Sequence, residues 1–303
     1  MTDSTPAHKL TLDAVLGHAL QIPAAPDLLP RLMEALDNPE RGGDEIGRLI
    51  SLDPGIASST LRLANSSWFG ARRKCDNLEE AIFRLGAREV FRIATTSLTM
   101  RWMDGGGGAE YGWEPGDFCR HSLSVGIASR LVARELPGVD EMKAYTAGLL
   151  HDIGKLALVH AAPEYIAQVR HLQETTQSSW REAERAVLGF DHLDAGAALM
   201  EKWDFPESLI MVARYYPVPE KASETYKPLL AAVHAGKHLA VSLGIGVGEE
   251  GFLAEMDSAF LRKKGLEETL GERILPDLSS ELIRLLGGAL YVGRVNLGKL
   301  GAE

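Results

Sequence analysis

The stretch Ala144–Leu158, AYTAGLLHDIGKLAL, constrains the chain more than any other. Ala144, Ala147, Gly148 and His151 fall at i, i+3, i+4 and i+7, which is one face of a helix. Three small residues on that face let a second helix approach closely and bring its own side chains beside His151. The adjacent pair His151-Asp152 supplies an imidazole and a carboxylate, usable ligands for a borderline or hard divalent metal. Ordinary backbone hydrogen bonds at a helix end are the other use for the same two residues.

The chain has 303 residues, room for one large domain or two moderate ones. Its formal net charge of −10 argues against a general nucleic-acid binder, because neutralising phosphates needs a basic surface. One segment reverses that balance: Arg62 to Arg101 holds Arg72, Arg73, Lys74, Arg84, Arg88 and Arg92. It reads either as a docking surface for an anionic partner or as a solvated helix face. Cys75 and Cys119 are too few for a disulfide framework and form no C-x-x-C pair. The opening MTDSTPAHKLTLDAV has no basic stretch leading into an apolar core, and no uncharged apolar run is long enough to cross a bilayer. A cytoplasmic protein with reduced thiols, not engaged with a membrane, is the expectation.

The first third reads as short helices joined by capped turns. A helix around Leu12–Leu20 precedes the proline-punctuated IPAAPDLLP, where Asp27 can cap a stripe of Leu28, Leu29, Leu32, Met33 and Leu36. Asn38-Pro39 ends that helix. A second carries Ile46, Leu49 and Ile50, and Asp53-Pro54 reads as cap and first residue of a third. Asn77, with Glu80 three residues on, starts a fourth that Gly86 breaks, and a fifth runs to about Met103. A DNA-binding helix–turn–helix over the second and third is opposed by Asp44, Glu45 and Asp53. The glycine run Gly105–Gly108 reads as a hinge loop, which divides the chain at 108 into two helical lobes, 1–108 and 109–303.

In the second lobe His121 shares a helical face with Val125, Ala128 and Val132. The short turn Pro137–Asp140 makes its helix antiparallel to the one ending at His151-Asp152, so His121, His151 and Asp152 can meet. His192 opens a later helix, as a fourth ligand or as a cap; with Asp191 or Asp194 it offers a general base. His234 and His238, at i and i+4 near Lys237, read as a solvated face rather than a second metal pair. Gly244, Gly246 and Gly248 follow no strand, so a loop is expected there and not a dinucleotide fingerprint.

The order His121 … His151-Asp152, with GLLHDIGKLAL around the pair, resembles the HD superfamily of metal-dependent phosphohydrolases. LPRLMEALDNPE, SLDPGIASSTLRLANSS, NLEEAIFRLGAREV and GFDHLDAGAALMEKWDFPESL narrow it to the HDOD family, an HD-related output domain of bacterial signalling proteins. The resemblance covers roughly residues 20–216. It implies an all-α fold with an N-terminal helical lobe packed on an HD-like lobe that carries a C-terminal helical extension.

Departures from the HD pattern bear on the chemistry. Catalytic relatives close the metal site with a late aspartate, and VHAGKHLA puts Lys237 at the matching position. An ammonium there would repel a cation, and its charge is better placed beside Asp152 in place of one. Tyr215-Tyr216 stands where dinuclear relatives have two histidines, and tyrosine is a poor ligand near neutral pH. Lys155 would meet phosphate in active relatives and here reads equally as a cap on helix carbonyls. The inherited set is therefore His121, His151, Asp152 and His192, vestigial or holding a single iron, manganese or zinc ion. The expected role is a non-catalytic regulatory module that binds a signalling protein or a small anionic ligand. The alternative is a metal-dependent phosphodiesterase acting on a nucleotide or cyclic dinucleotide. Homo-oligomerisation stays open.

Overall fold

The computed structural model describes residues 10–19, 28–38, 42–66, 74–103, 109–245 and 256–287. Among them there is no strand, and the fold is all-α. The first part holds α1 (Leu12–Ala19), α2 (Leu28–Asp37), α3 (Gly42–Ser51), α4 (Pro54–Ala64), α5 (Leu78–Leu85) and α6 (Ala87–Met103). The caps follow local chemistry. Asp53 accepts from the amides of Gly55 and Ile56 to start α4, and Asn77 accepts from Glu80 N to start α5. Gly86, at φ 79°, supplies the left-handed residue that separates α5 from α6. Asp27, the Trp68-Phe69-Gly70 turn, the Gly105–Gly108 joint and the glycines after Ile245 lie outside the described residues.

The second part is built on α7 (Asp117–Ala133), in which all but two of 17 residues are buried. A helix buried on every side belongs at the centre of a domain, and α7 lies between α8 (Glu141–Leu150) and α14 (Lys227–Ser242). Small residues set the spacing. A Cβ on Gly148 would lie 2.5 Å from Ser129 Oγ, and one on Gly236 would lie 2.5 Å from the same atom. The close approach read from Ala144, Ala147 and Gly148 is thus made by α7.

After α8 the chain turns through His151-Asp152 into α9 (Ile153–Ala161), followed by α10 (Pro163–Thr176), α11 (Trp180–Leu188), α12 (His192–Lys202) and α13 (Glu207–Tyr215). α15 (Ser258–Lys263) and α16 (Leu270–Gly287) close the described chain, with α16 against α7. α9 crosses α12 at a second glycine contact, where a Cβ on Gly154 would fall 1.8 Å from His192 O. α1 packs on α9 and α12, and one apolar core runs from Val15 and Leu29 through Ile153 to Val233. No described helix is long and apolar enough to cross a membrane.

The arginine-rich segment is largely self-neutralised where it is described. Arg84 pairs with Glu80, Arg92 with Glu89, Arg101 with Asp53 and Arg88 with Asp140. Arg72 and Arg73 fall outside the described residues.

Candidate functional site

His121 comes from the first turns of α7, His151 ends α8, Asp152 precedes α9 and His192 opens α12. Antiparallel packing of α7 on α8 brings the His121 and His151 ring centroids to 5.3 Å. One donor atom each from His121, His151 and Asp152 lies within 4.8 Å of the others. The Gly154–His192 backbone contact carries the fourth residue in, with His192 Nε2 at 3.9 Å from Asp152 Oδ1.

Asp152 makes no capping bond to α9. Its carboxylate is held instead by side chains: Tyr216 OH donates to Oδ1 at 2.5 Å and Lys155 Nζ to Oδ2 at 3.1 Å. Burial alone would raise its pKa, but His151, Lys155, Lys237 and His192 around it hold the carboxyl well below its usual range. Lys155 is thus placed at the carboxylate. Its ammonium pairs with Asp152 beneath the rings of Tyr111 and Trp113, 5.8 and 5.5 Å away.

The expected contact between Lys237 and Asp152 is replaced by an indirect one. Lys237 Nζ donates to Tyr216 OH at 3.1 Å, and the tyrosine hydroxyl in turn donates to the carboxylate. Lys155 is nearer because three residues along the same helical turn put its ammonium on Oδ2. His234 also differs from expectation. It is buried, donating from Nδ1 to Tyr216 O and accepting at Nε2 from Asp257 N, both at 2.9 Å, so its ring has no nitrogen left for a metal.

The imidazoles divide into two kinds. Nδ1 of His151 meets the Gly148 carbonyl at 2.8 Å and must donate, which puts the lone pair on Nε2, 3.4 Å from Asp152 Oδ2. Burial pushes His151 down to about 4 and His121 well below its ordinary value, so both rings are neutral near pH 7. His121 Nδ1 and His151 Nε2 have no hydrogen-bond partner. For His192, burial opposes protonation, but the Glu184 carboxylate outweighs it and raises the pKa. Nδ1 and the backbone N–H of His192 both donate to Glu184 Oε2, at 2.7 and 2.9 Å. Asp191, not His192, caps α12, and neither Asp191 nor Asp194 is the carboxylate on the His192 ring.

Sequence reasoning missed Glu184 and Tyr111, and took Tyr216 only for a lost ligand. Glu184 is fully buried and accepts from Tyr111 OH at 2.8 Å as well as from His192. A signal existed: Trp180, Glu184 and Leu188 fall at i, i+4 and i+8, placing a carboxylate on the buried stripe of α11. Tyr111 carried no such periodicity.

The donor chemistry accommodates one divalent ion, through His121 Nδ1, His151 Nε2 and an oxygen of Asp152. A second is disfavoured by the Lys155 and Lys237 ammonium groups. A bound ion would supply Lewis acidity and lower the pKa of a bound water.

A family model described as the HDOD domain matches residues 22–219. A crystal structure of an HDOD domain protein with unknown function from Geobacter sulfurreducens is 22% identical, with a TM-score of 0.67 over 91% of this chain and 97% of that one. A candidate signal transduction protein from Marinobacter aquaeolei VT8 is 21% identical, with a TM-score of 0.69 over 88% of this chain and 59% of that one. A candidate phosphohydrolase from Shewanella amazonensis SB2B is 21% identical, with a TM-score of 0.62 over 90% and 94%. An uncharacterized protein of Treponema pallidum (strain Nichols) is 26% identical over 212 residues, 70% of this chain and 40% of that protein. The match thus spans well under half the length of that relative.

Proposed function

Because the chain belongs to the HDOD family, we propose that it is a cytoplasmic regulatory module that works by binding a signalling protein or a small anionic ligand, and not by hydrolysis. One observation carries this reading: the HD cluster is sealed. His121 is 5% exposed, His151 and Asp152 are 2%, and Lys155 and His192 are 1%. Tyr111 stacks between Trp113 and Trp180, with centroids at 5.2 and 4.7 Å, and closes the cluster over Lys155. Among the described residues Asp152 is buried, and each of its oxygens already accepts a bond, from Lys155 and from Tyr216. The candidate signal transduction protein among the similar structures is in keeping with a regulatory role.

A second reading, a mononuclear metal-dependent phosphohydrolase, is favoured by the unpartnered nitrogens of His121 and His151 beside Asp152. Elemental analysis of purified protein, with assays on bis(p-nitrophenyl) phosphate and a cyclic dinucleotide, separates the two. The regulatory reading expects no turnover with or without added iron, manganese or zinc. Stoichiometric metal with turnover abolished by Asp152→Ala would overturn it.

A further inference from the structure

A cleft of about 480 Å³ opens among α6, α7, α8 and α16. That volume lies in the range of small-molecule sites, roughly 300–1,000 Å³. Arg88, Arg92, Arg130 and Arg134 line it, a concentration of guanidinium groups in a chain of net charge −10.

These arginines are of two kinds. Arg92 and Arg130 are wall residues, only 6% and 8% exposed and paired with Glu89 and Glu281. Even so, Arg130 Nε has no acceptor. Arg88 and Arg134 are different: each holds one acid through a single nitrogen, Asp140 and Glu141 respectively, and their side chains are 63% and 48% exposed. Each planar guanidinium fork also carries N–H groups beyond the nitrogen that bonds its acid, and both residues line the cleft. Such forks match the oxygens of a phosphate better than an ammonium does. α16 adds Asp277, Ser280 and Glu281 to the same lining and α6 adds Glu89; Glu281 and Glu89 are held by Arg130 and Arg92, which leaves Asp277 and Ser280 as acceptors for a ligand. A small molecule with a phosphate for the arginines and an N–H donor for Asp277 satisfies both kinds of lining group.

We propose that this cleft, lined by Arg88 of α6, Arg134 at the end of α7, and Asp277 and Ser280 of α16, binds a small phosphorylated ligand that carries an amine or amide donor. It deepens the regulatory reading, on which it rests for its purpose, by giving the anionic ligand a site separate from the sealed HD cluster.

Isothermal titration of the full chain with AMP and with inorganic pyrophosphate tests it at low ionic strength. AMP binding is expected to weaken at least tenfold in Arg88→Gln/Arg134→Gln, whose folding is checked by circular dichroism. Asp277→Asn should weaken AMP and leave pyrophosphate unchanged or tighter. No binding of either probe to the unmodified protein, or equal affinity in the double variant, would overturn the proposal. The regulatory reading fails separately, on metal-dependent turnover.

Discussion

The hydroxyl of Tyr216 donates to Oδ1 of Asp152 at 2.5 Å, across 64 residues of sequence. With Lys155 on Oδ2 and Lys237 one bond further out, this contact makes the charge balance of the buried carboxylate internal to the protein. Tyr216→Phe leaves one carboxylate oxygen buried without a donor, and is expected to cost about 1.5–3 kcal/mol in chemical denaturation.

The two lysines should differ in the same measurement. Lys155→Met removes the direct partner of a buried charge, on the order of 3–5 kcal/mol. Lys237→Ala loses a contact to a hydroxyl and to the Tyr216 ring, 4.7 Å away, and should cost less. Equal losses would contradict the indirect role assigned to Lys237.

Glu184 governs the state of His192. With Glu184→Gln the counter-charge on Nδ1 disappears, so the His192 titration followed by NMR should move to lower pH. Movement in the other direction would mean that another group sets the protonation of that ring.

Two glycine substitutions should have opposite signs. Gly154→Ala drives a methyl into the His192 carbonyl, and the parting of α9 from α12 is expected to cost about 3 kcal/mol or more. A Cβ on Gly17 in α1 meets nothing within 4 Å, so Gly17→Ala should stabilise by roughly 0.5–1 kcal/mol. Thermal melting distinguishes them directly.

His234 sets an acid limit. Burial lowers its pKa from 6.5, and its neutral ring both donates to Tyr216 O and accepts from Asp257 N. Between the unfolded value and the lowered folded one, the unfolded chain binds more protons, so stability falls as pH falls through that window. Above pH 6.5 this contribution is fully present. His121 and His151 act in the same direction. The loss of stability between pH 7 and pH 5 should therefore shrink, without vanishing, in His234→Asn; an unchanged loss would remove His234 from the account.

What the sequence made legible was local or periodic. Asp53 caps α4 and Asn77 caps α5 because those bonds span two or three residues. The meeting of His121 with His151-Asp152 followed from two antiparallel helices and a short turn. Contacts between distant residues were another matter. The Tyr216 bond has no sequence period, and Lys237 was set beside Asp152 because register gives helix position but not side-chain reach. His234 read as a solvated face because its partners, Tyr216 O and Asp257 N, are backbone groups brought in by separate segments.

Ser129 has glycine backbone on two sides, Gly148 of α8 and Gly236 of α14. With no side chains there to yield, any shift of α7 at that point meets backbone on both sides. His121 and Arg130 sit nine residues apart on it, about 14 Å along the axis. Ser129 lies between them, so the cleft lining and the histidine cluster are built on one tightly packed helix.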